Sequence, residues 1–353
     1  MLNRKSAFSF FASSENIIAI VLLIIAAALP ANMKPYSVNV YSQYYTSILL
    51  GLSITLIWGF TGIFSFGQAA FFGIGGYVYG VICLIMENPA LSPLAAVAGI
   101  AAAAIAAGII GFFMFYGGIN DVFVGLITLC FTIAASTFMG QTAGEQWAIC
   151  GVRLNGYNGL NGIPMLTFGT SGMSVSAFYY LCLAAIGVVF FGLRILQRTK
   201  IGYALVAIRE NRPRAQLLGY VVPKYQTLVF MAGGAIAGLA GVLYAAWGQY
   251  INPATMSLDA STLAVVLVAA GGRKSPLAAI VFTFAYSLIS SKLSSSGSQY
   301  ALVILGLILI VVILFVPQGV LATLFEKIDL AVTTAKRRLF GKKAKALRGV
   351  RQI

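Results

Sequence analysis

The chain has 353 residues, 60% of them hydrophobic and only 9% charged, with no histidine and a formal net charge of +15. Soluble domains carry roughly 25% charged residues, so this composition points to a membrane protein. Without histidine, the commonest general base and metal ligand is missing. The basic excess is not spread as a nucleic-acid surface would require. Arg4 and Lys5 stand at the start, seven basic residues lie between Arg194 and Lys224, and nine lie between Lys327 and Arg351. These clusters flank apolar runs, which explains them by membrane topology and attraction to anionic lipid. The cysteines Cys83, Cys130, Cys150 and Cys182 form no paired CxxC, so neither zinc nor a disulfide framework is indicated.

In chain order, the first apolar run covers residues 17–29. Pro30, Asn32 and Lys34 follow it where a signal peptide would have a small-residue cleavage site, so it reads as a retained helix. Residues 36–45 read as a polar, tyrosine-rich link at a membrane interface. Apolar segments at 44–60, 66–86, 93–115, 122–142 and 175–196 bring the spans to six. A basic segment, 198–224, then precedes four more, at 225–247, 258–272, 276–291 and 299–316. Even counts place the N-terminus, 198–224 and the basic tail 326–353 on one side, cytoplasmic by their charge. The fold class expected is all-α: a polytopic transmembrane helix bundle over residues 1–325, with about ten membrane segments. Segment 258–272 is shorter than the roughly 20 residues a straight span needs, so half-helices inside the bundle are expected there. The tail 326–353 is amphipathic and basic, suited to anionic lipid or to solvation.

Three polar features interrupt this pattern. The segment 198–224 carries six basic residues and Glu210. Residues 203–209 are good helix formers, Pro213 disfavours helix at Arg212, and Gly219 suits a helix end. A short helix, a break near Asn211 and a second short helix are predicted, a handle that another protein can push. The alternative is a solvated basic loop that only fixes topology. The stretch from Ser65 to Tyr77 combines Ser65, Gln68 and glycines such as Gly73. Polar side chains in a membrane segment normally face the interior, which makes Ser65, Gln68, Gly73 and Tyr77 candidates for lining a path; a glycine-rich packing helix is the alternative. Residues 142–164 form a polar loop on the outer side, with turn dipeptides at Asn155-Gly156, Asn158-Gly159 and Asn161-Gly162. Gly234, Gly238, Gly241 and Ala245 share one helix face, a spacing that favours close packing inside the bundle.

Ala207-Ile208-Arg209-Glu210-Asn211, followed by Ala215 and Leu218-Gly219, resembles the coupling segment of ABC-importer permeases for branched-chain amino acids and related substrates. Thr61-Gly62 with 65–77, then 159–164, 237–244, 251–253, 268–273 and 317–319, are similar to that family in order and spacing. The similarity runs over residues 51–319; residues 144–153 and 274–279 depart from it. The resemblance implies ATPase coupling through Leu205, Ile208, Arg209, Glu210, Leu217 and Gly219. It also implies separate ABC ATPase subunits, a second homologous permease subunit, an external binding protein and an inner-membrane location. Branched-chain or other hydrophobic amino acids are the implied cargo, with urea or short amides as the alternative within the family. An ATP-independent channel or carrier is the alternative outside it. No GxxxxGK[ST] occurs, so the chain has no phosphate cradle of its own. No catalytic cluster, cofactor or metal site is expected. Asp121 and Asp259, the acids nearest to spans, both fall at predicted helix ends, where capping or an interface suits them.

Overall fold

The computed structural model describes residues 14–86, 88–167, 172–295 and 300–316, with 319, 321 and 323 beyond them. Arg4, Lys5 and the tail 326–353 lie outside the described residues. The chain is built of helices: α1 (Ser14–Ala28), α2 (Pro35–Ile54), α3 (Gln68–Met86), α4 (Ser92–Tyr116), α5 (Asp121–Gln141) and α6 (Val175–Leu196), then the short α7 (Lys200–Glu210) and α8 (Arg212–Leu217). After these come α9 (Val222–Gly248), α10 (Leu258–Gly271), α11 (Pro276–Ser295) and α12 (Ala301–Phe315). Among the described residues, strand is confined to two small antiparallel pairs. β1 (Ala148–Ile149) pairs with β2 (Val152–Arg153), and β3 (Leu160–Asn161) pairs with β4 (Tyr250–Ile251).

Among the described residues, seven helices are long and apolar enough to cross a membrane. The other three of the ten expected segments are α2, α10 and α12. Of these, α10 and α12 are short, while α2 is long but carries Asn39, Ser42 and Gln43. The interfacial link expected at 36–45 is corrected here, because those residues form the first half of α2. Pro35 supplies the fixed φ that a first helical position favours. Tyr44 and Tyr45 turn inward while Tyr36 stays exposed, and the Tyr45 and Tyr179 hydroxyls meet at 2.7 Å.

The bundle has a basic end and a far end. At the basic end, Arg194 pairs with Glu15 at 2.6 Å, Arg273 lies 5.0 Å from the Trp58 ring centroid, and Arg209 reaches Gly59. At the far end, Ser92 meets Thr167, the Trp247 indole donates to Asn39 O at 2.8 Å, and Tyr79 donates to Pro164 O at 2.9 Å. Helix α9 crosses the middle of the bundle. The small-residue face expected on it packs inside the chain. An added Cβ would lie 2.3 Å from Ala107 Cβ at Gly234, 2.4 Å from Ala103 Cβ at Gly238 and 1.8 Å from Phe72 O at Gly241. No side chain fits at such distances, so α9 touches α3 and α4 almost backbone to backbone.

Two helices begin at mid-depth. Helix α2 runs to the basic end and finishes in one wide π turn, Thr55–Phe60. The chain then bends back at Gly62, whose φ of +78° suits glycine, and re-enters over residues 61–67. The Phe66 amide donates to Thr128 Oγ1 at 3.1 Å, and its carbonyl accepts from Thr132 Oγ1 at 3.0 Å and from Ser261 Oγ. Thr132 lies about 16 Å along α5 from Asp121 at 1.5 Å per residue, near the middle of a helix of about 31 Å. So α3 starts in the bundle interior and runs to the far end. Helix α9 repeats the pattern upside down. It ends at the far end, the chain re-enters over residues 249–257, and α10 starts at mid-depth and runs to Arg273 at the basic end. Ser136 Oγ donates to Pro253 O at 3.1 Å, fixing the depth of that re-entry. The half-helices expected from the short segment are therefore a pair, and their starts meet at Phe66.

Candidate functional site

The four path candidates all lie on or just before α3. Ser65 accepts from Gly67 N at 3.1 Å and so holds the turn into the helix. Gln68 is the first residue of α3 and only 1% exposed, and among the described residues neither its amide oxygen nor its nitrogen has a hydrogen-bond partner. Tyr77 is buried with its hydroxyl likewise unpartnered. Gly73 lies against Met256, where an added Cβ would be 2.1 Å from Met256 Cγ. The four do not surround one open space. Gln68 and Tyr77 are about 13 Å apart along α3, and Met256 fills the side of Gly73. Sequence reasoning missed the residues that hold this region in place: Thr128, Thr132 and Ser261. Their hydroxyls carry no special sequence signal, because Ser and Thr in apolar helices ordinarily bond their own helix, as Thr128 also does to Val124 O at 2.9 Å.

At the basic end, α7 and α8 form the predicted helix–break–helix. Thr199 caps α7, accepting from Gly202 N at 3.2 Å. Asn211 ends α7 and caps α8, accepting from Arg214 N at 3.0 Å. Pro213 sits in the first turn of α8, where its missing N–H costs nothing. Gly219, at φ +86°, turns the chain so that Tyr220 N donates to Ala215 O at 3.1 Å. The expectation that Leu205 and Ile208 offer a contact surface to a partner is corrected. Both are 0% exposed, and Ile208 packs on Ala215 and Val222, so they fasten the pair to the body. The apolar side chains left facing outward are Leu217 at 88% and Leu218 at 75% exposure, together with Ile201, Tyr203, Val206 and Val221.

Two arginines tie this helix pair to the transmembrane helices. Arg209 Nη1 donates to Gly59 O at 2.6 Å at the end of α2, while Nε and Nη2 hold the exposed Glu210 carboxylate at 3.2 and 3.0 Å. The Arg209 stem crosses Gly62, where an added Cβ would be 2.9 Å from Arg209 Cγ. Arg212 forms an ion pair with Asp121 at the start of α5. It also donates to the buried Gln226 of α9, whose amide oxygen, turned toward it, lies 2.7 Å from Nη2 and 3.1 Å from Nε. Asn120 caps α5, accepting from Asp121 N at 2.8 Å, so Asp121 is a tether and not a cap. Gly59, Asp121 and Gln226 are the contacts that sequence reasoning missed. They lie far from the segment in sequence and meet it only through the fold.

At the far end, the β3–β4 pair clips the loop 142–164 to the re-entrant segment. An added Cβ at Gly159 would be 2.2 Å from Ile251 O. Glu145 pairs with Arg153 across the β1–β2 turn, in the part of the loop that departs from the family pattern.

A family model described as branched-chain amino acid transport system / permease component matches residues 36–313. The chain is 24% identical to the high-affinity branched-chain amino acid transport system permease protein LivM of Salmonella typhimurium, over 91% of this chain and 78% of that protein. It is 27% identical to the corresponding permease protein BraD of Pseudomonas aeruginosa and 25% identical to LivH of Escherichia coli, in each case over 78% of this chain and 91% of the relative. No solved structure matches the chain.

Proposed function

The chain belongs to the permease-component family of branched-chain amino acid transport systems, and from that premise we propose that it forms the translocation path of an ABC importer for branched-chain amino acids. It works with a second permease subunit in the inner membrane, with both termini and the basic end in the cytoplasm. Separate ATPase subunits dock on α7–α8, against Leu217, Leu218 and Tyr203. A binding protein delivers cargo at the far end, near 142–164. Ser65, Gln68, Gly73 and Tyr77 border the path as it opens. The observation that carries the reading is mechanical. Arg209 and Arg212 join one short helix pair to the ends of α2, α5 and α9, so a displacement of that pair reaches both half-helices.

The test is leucine uptake by proteoliposomes containing both permeases, the ATPases and the binding protein. ATP-dependent uptake is expected. Arg212→Ala should leave the ATPases bound and slow uptake, and combining Asp121→Arg with Arg212→Asp should recover part of the rate. The single pair is partly exposed and worth only about 0–1 kcal/mol in stability, so the effect belongs in turnover and not in folding. Uptake of urea without leucine, or uptake by the permease alone without ATP, overturns the reading. In a cysteine-free background, single cysteines at 212 and 158 should label from opposite sides of intact cells, with 158 reached by an impermeant reagent.

A further inference from the structure

Asp259 stands in the first turn of α10, where the sequence suggests a cap. Ser257 fills that role, accepting from Ala260 N at 3.2 Å. The Asp259 side chain is exposed on the surface of the chain, and no described residue pairs with its carboxylate. Its depth follows from its neighbours in sequence. Pro253 is held by Ser136, about 22 Å along α5 from Asp121, and Ser261 shares the Phe66 carbonyl with Thr132, about 16 Å along. Asp259 lies between those levels, inside the roughly 30 Å hydrocarbon layer that the long helices span. A carboxylate exposed at that depth is costly against lipid, and such residues face a water-filled path or a counter-charge.

A second copy of this chain offers no such counter-charge. Its described basic residues lie in the loops, in α7–α8 and in the first or last turns of the long helices: Lys34, Arg153, Arg194, Lys224, Arg273, Lys274 and Lys292 are all near one end or the other. The surroundings of Asp259 are apolar, with Leu258 and Leu263 exposed beside it, and the nearby Thr262 hydroxyl is turned back onto the Leu258 and Asp259 carbonyls. One negative point in an aliphatic surface complements an ammonium group carried beside an aliphatic side chain. We propose that Asp259 lines the aqueous path and receives the ammonium group of the amino-acid cargo at mid-membrane. This rests on the transport reading, but not on where the ATPases dock.

The experiment uses the reconstituted complex with Cys83, Cys130, Cys150 and Cys182 replaced by alanine and Asp259→Cys introduced. Uptake of leucine should fall about tenfold or more, as expected when a charged partner is lost. Modification with the anionic reagent sulfonatoethyl methanethiosulfonate should restore uptake several-fold, because it returns a negative charge. The cationic trimethylammonioethyl reagent should react equally well and restore nothing. Both arms use one folded protein, so a folding defect cannot mimic the difference. Asp259→Glu should retain more uptake than Asp259→Asn. Failure of both water-soluble reagents to react, equal effects of the two, or full uptake by Asp259→Asn overturns the proposal. So does loss of the second permease from the purified Asp259→Asn complex, which would assign the carboxylate to subunit contact. No leucine uptake by the unmodified complex would sink the transport reading instead.

Discussion

Gln68 carries an amide with both polar atoms unpaired while it is almost completely enclosed. A buried polar group without a partner costs about 1–3 kcal/mol, so the residue weakens the fold it belongs to. Gln68→Leu, similar in size and without polar atoms, should therefore melt at the same temperature or higher in detergent. If the amide serves the path, uptake should nonetheless drop. A variant that is both more stable and fully active would assign Gln68 to packing alone. This residue was legible in the sequence, because a glutamine inside an apolar, glycine-rich run stands out. The clamp around Phe66 was not. Thr128, Thr132 and Ser261 look like any hydroxyl in a membrane helix, and only the fold shows that all three converge on the backbone of one residue, Phe66.

For the α7–α8 element, the break near Asn211 and the exit at Gly219 were legible in the sequence, since Asn211, Pro213 and Gly219 each act within a few residues, whereas the Thr199 cap was not. Nor was the face. Ile201, Tyr203, Leu205, Val206 and Ile208 surround much of a helix of 11 residues, and no local rule selects which of them meets the body. The structure buries Leu205 and Ile208 and leaves Leu217 and Leu218 outside. Two substitutions of the same chemistry should consequently part ways. Ile208→Asp places a charge in the small core with Ala215 and Val222, and truncating or charging such a site typically costs about 2–5 kcal/mol, so the permease itself should be lost. Leu217→Asp should leave the permease intact in size-exclusion chromatography but strip the ATPases during purification. Retention of the ATPases by Leu217→Asp, with normal uptake, would remove this surface from the docking site.

On the scale of the whole molecule, hydropathy recovers the long spans because each is a continuous apolar run. It misreads α2, whose tyrosines and asparagine suggested an interface while Tyr45 in fact bonds Tyr179 inside the bundle. It also cannot reveal that the α2–α3 and α9–α10 units mirror each other, since a re-entrant turn has no hydropathy signature of its own. That mirrored arrangement puts the ends of both half-helices on a single carbonyl, Phe66 O, which takes the Thr132 and Ser261 hydroxyls together. Displacing either half-helix disturbs a bond the other one shares. If this shared contact closes the path at rest, it should be either fully made or fully broken, with little in between, as packed elements with two arrangements behave. A membrane carrying many idle copies would stay electrically tight, and the proton gradient would not drain through them. Ser261→Ala removes one half of the shared bond. Proteoliposomes bearing it should lose an imposed pH gradient faster than those with the unmodified chain, in the absence of ATP and cargo; an unchanged decay would mean that insulation is built elsewhere.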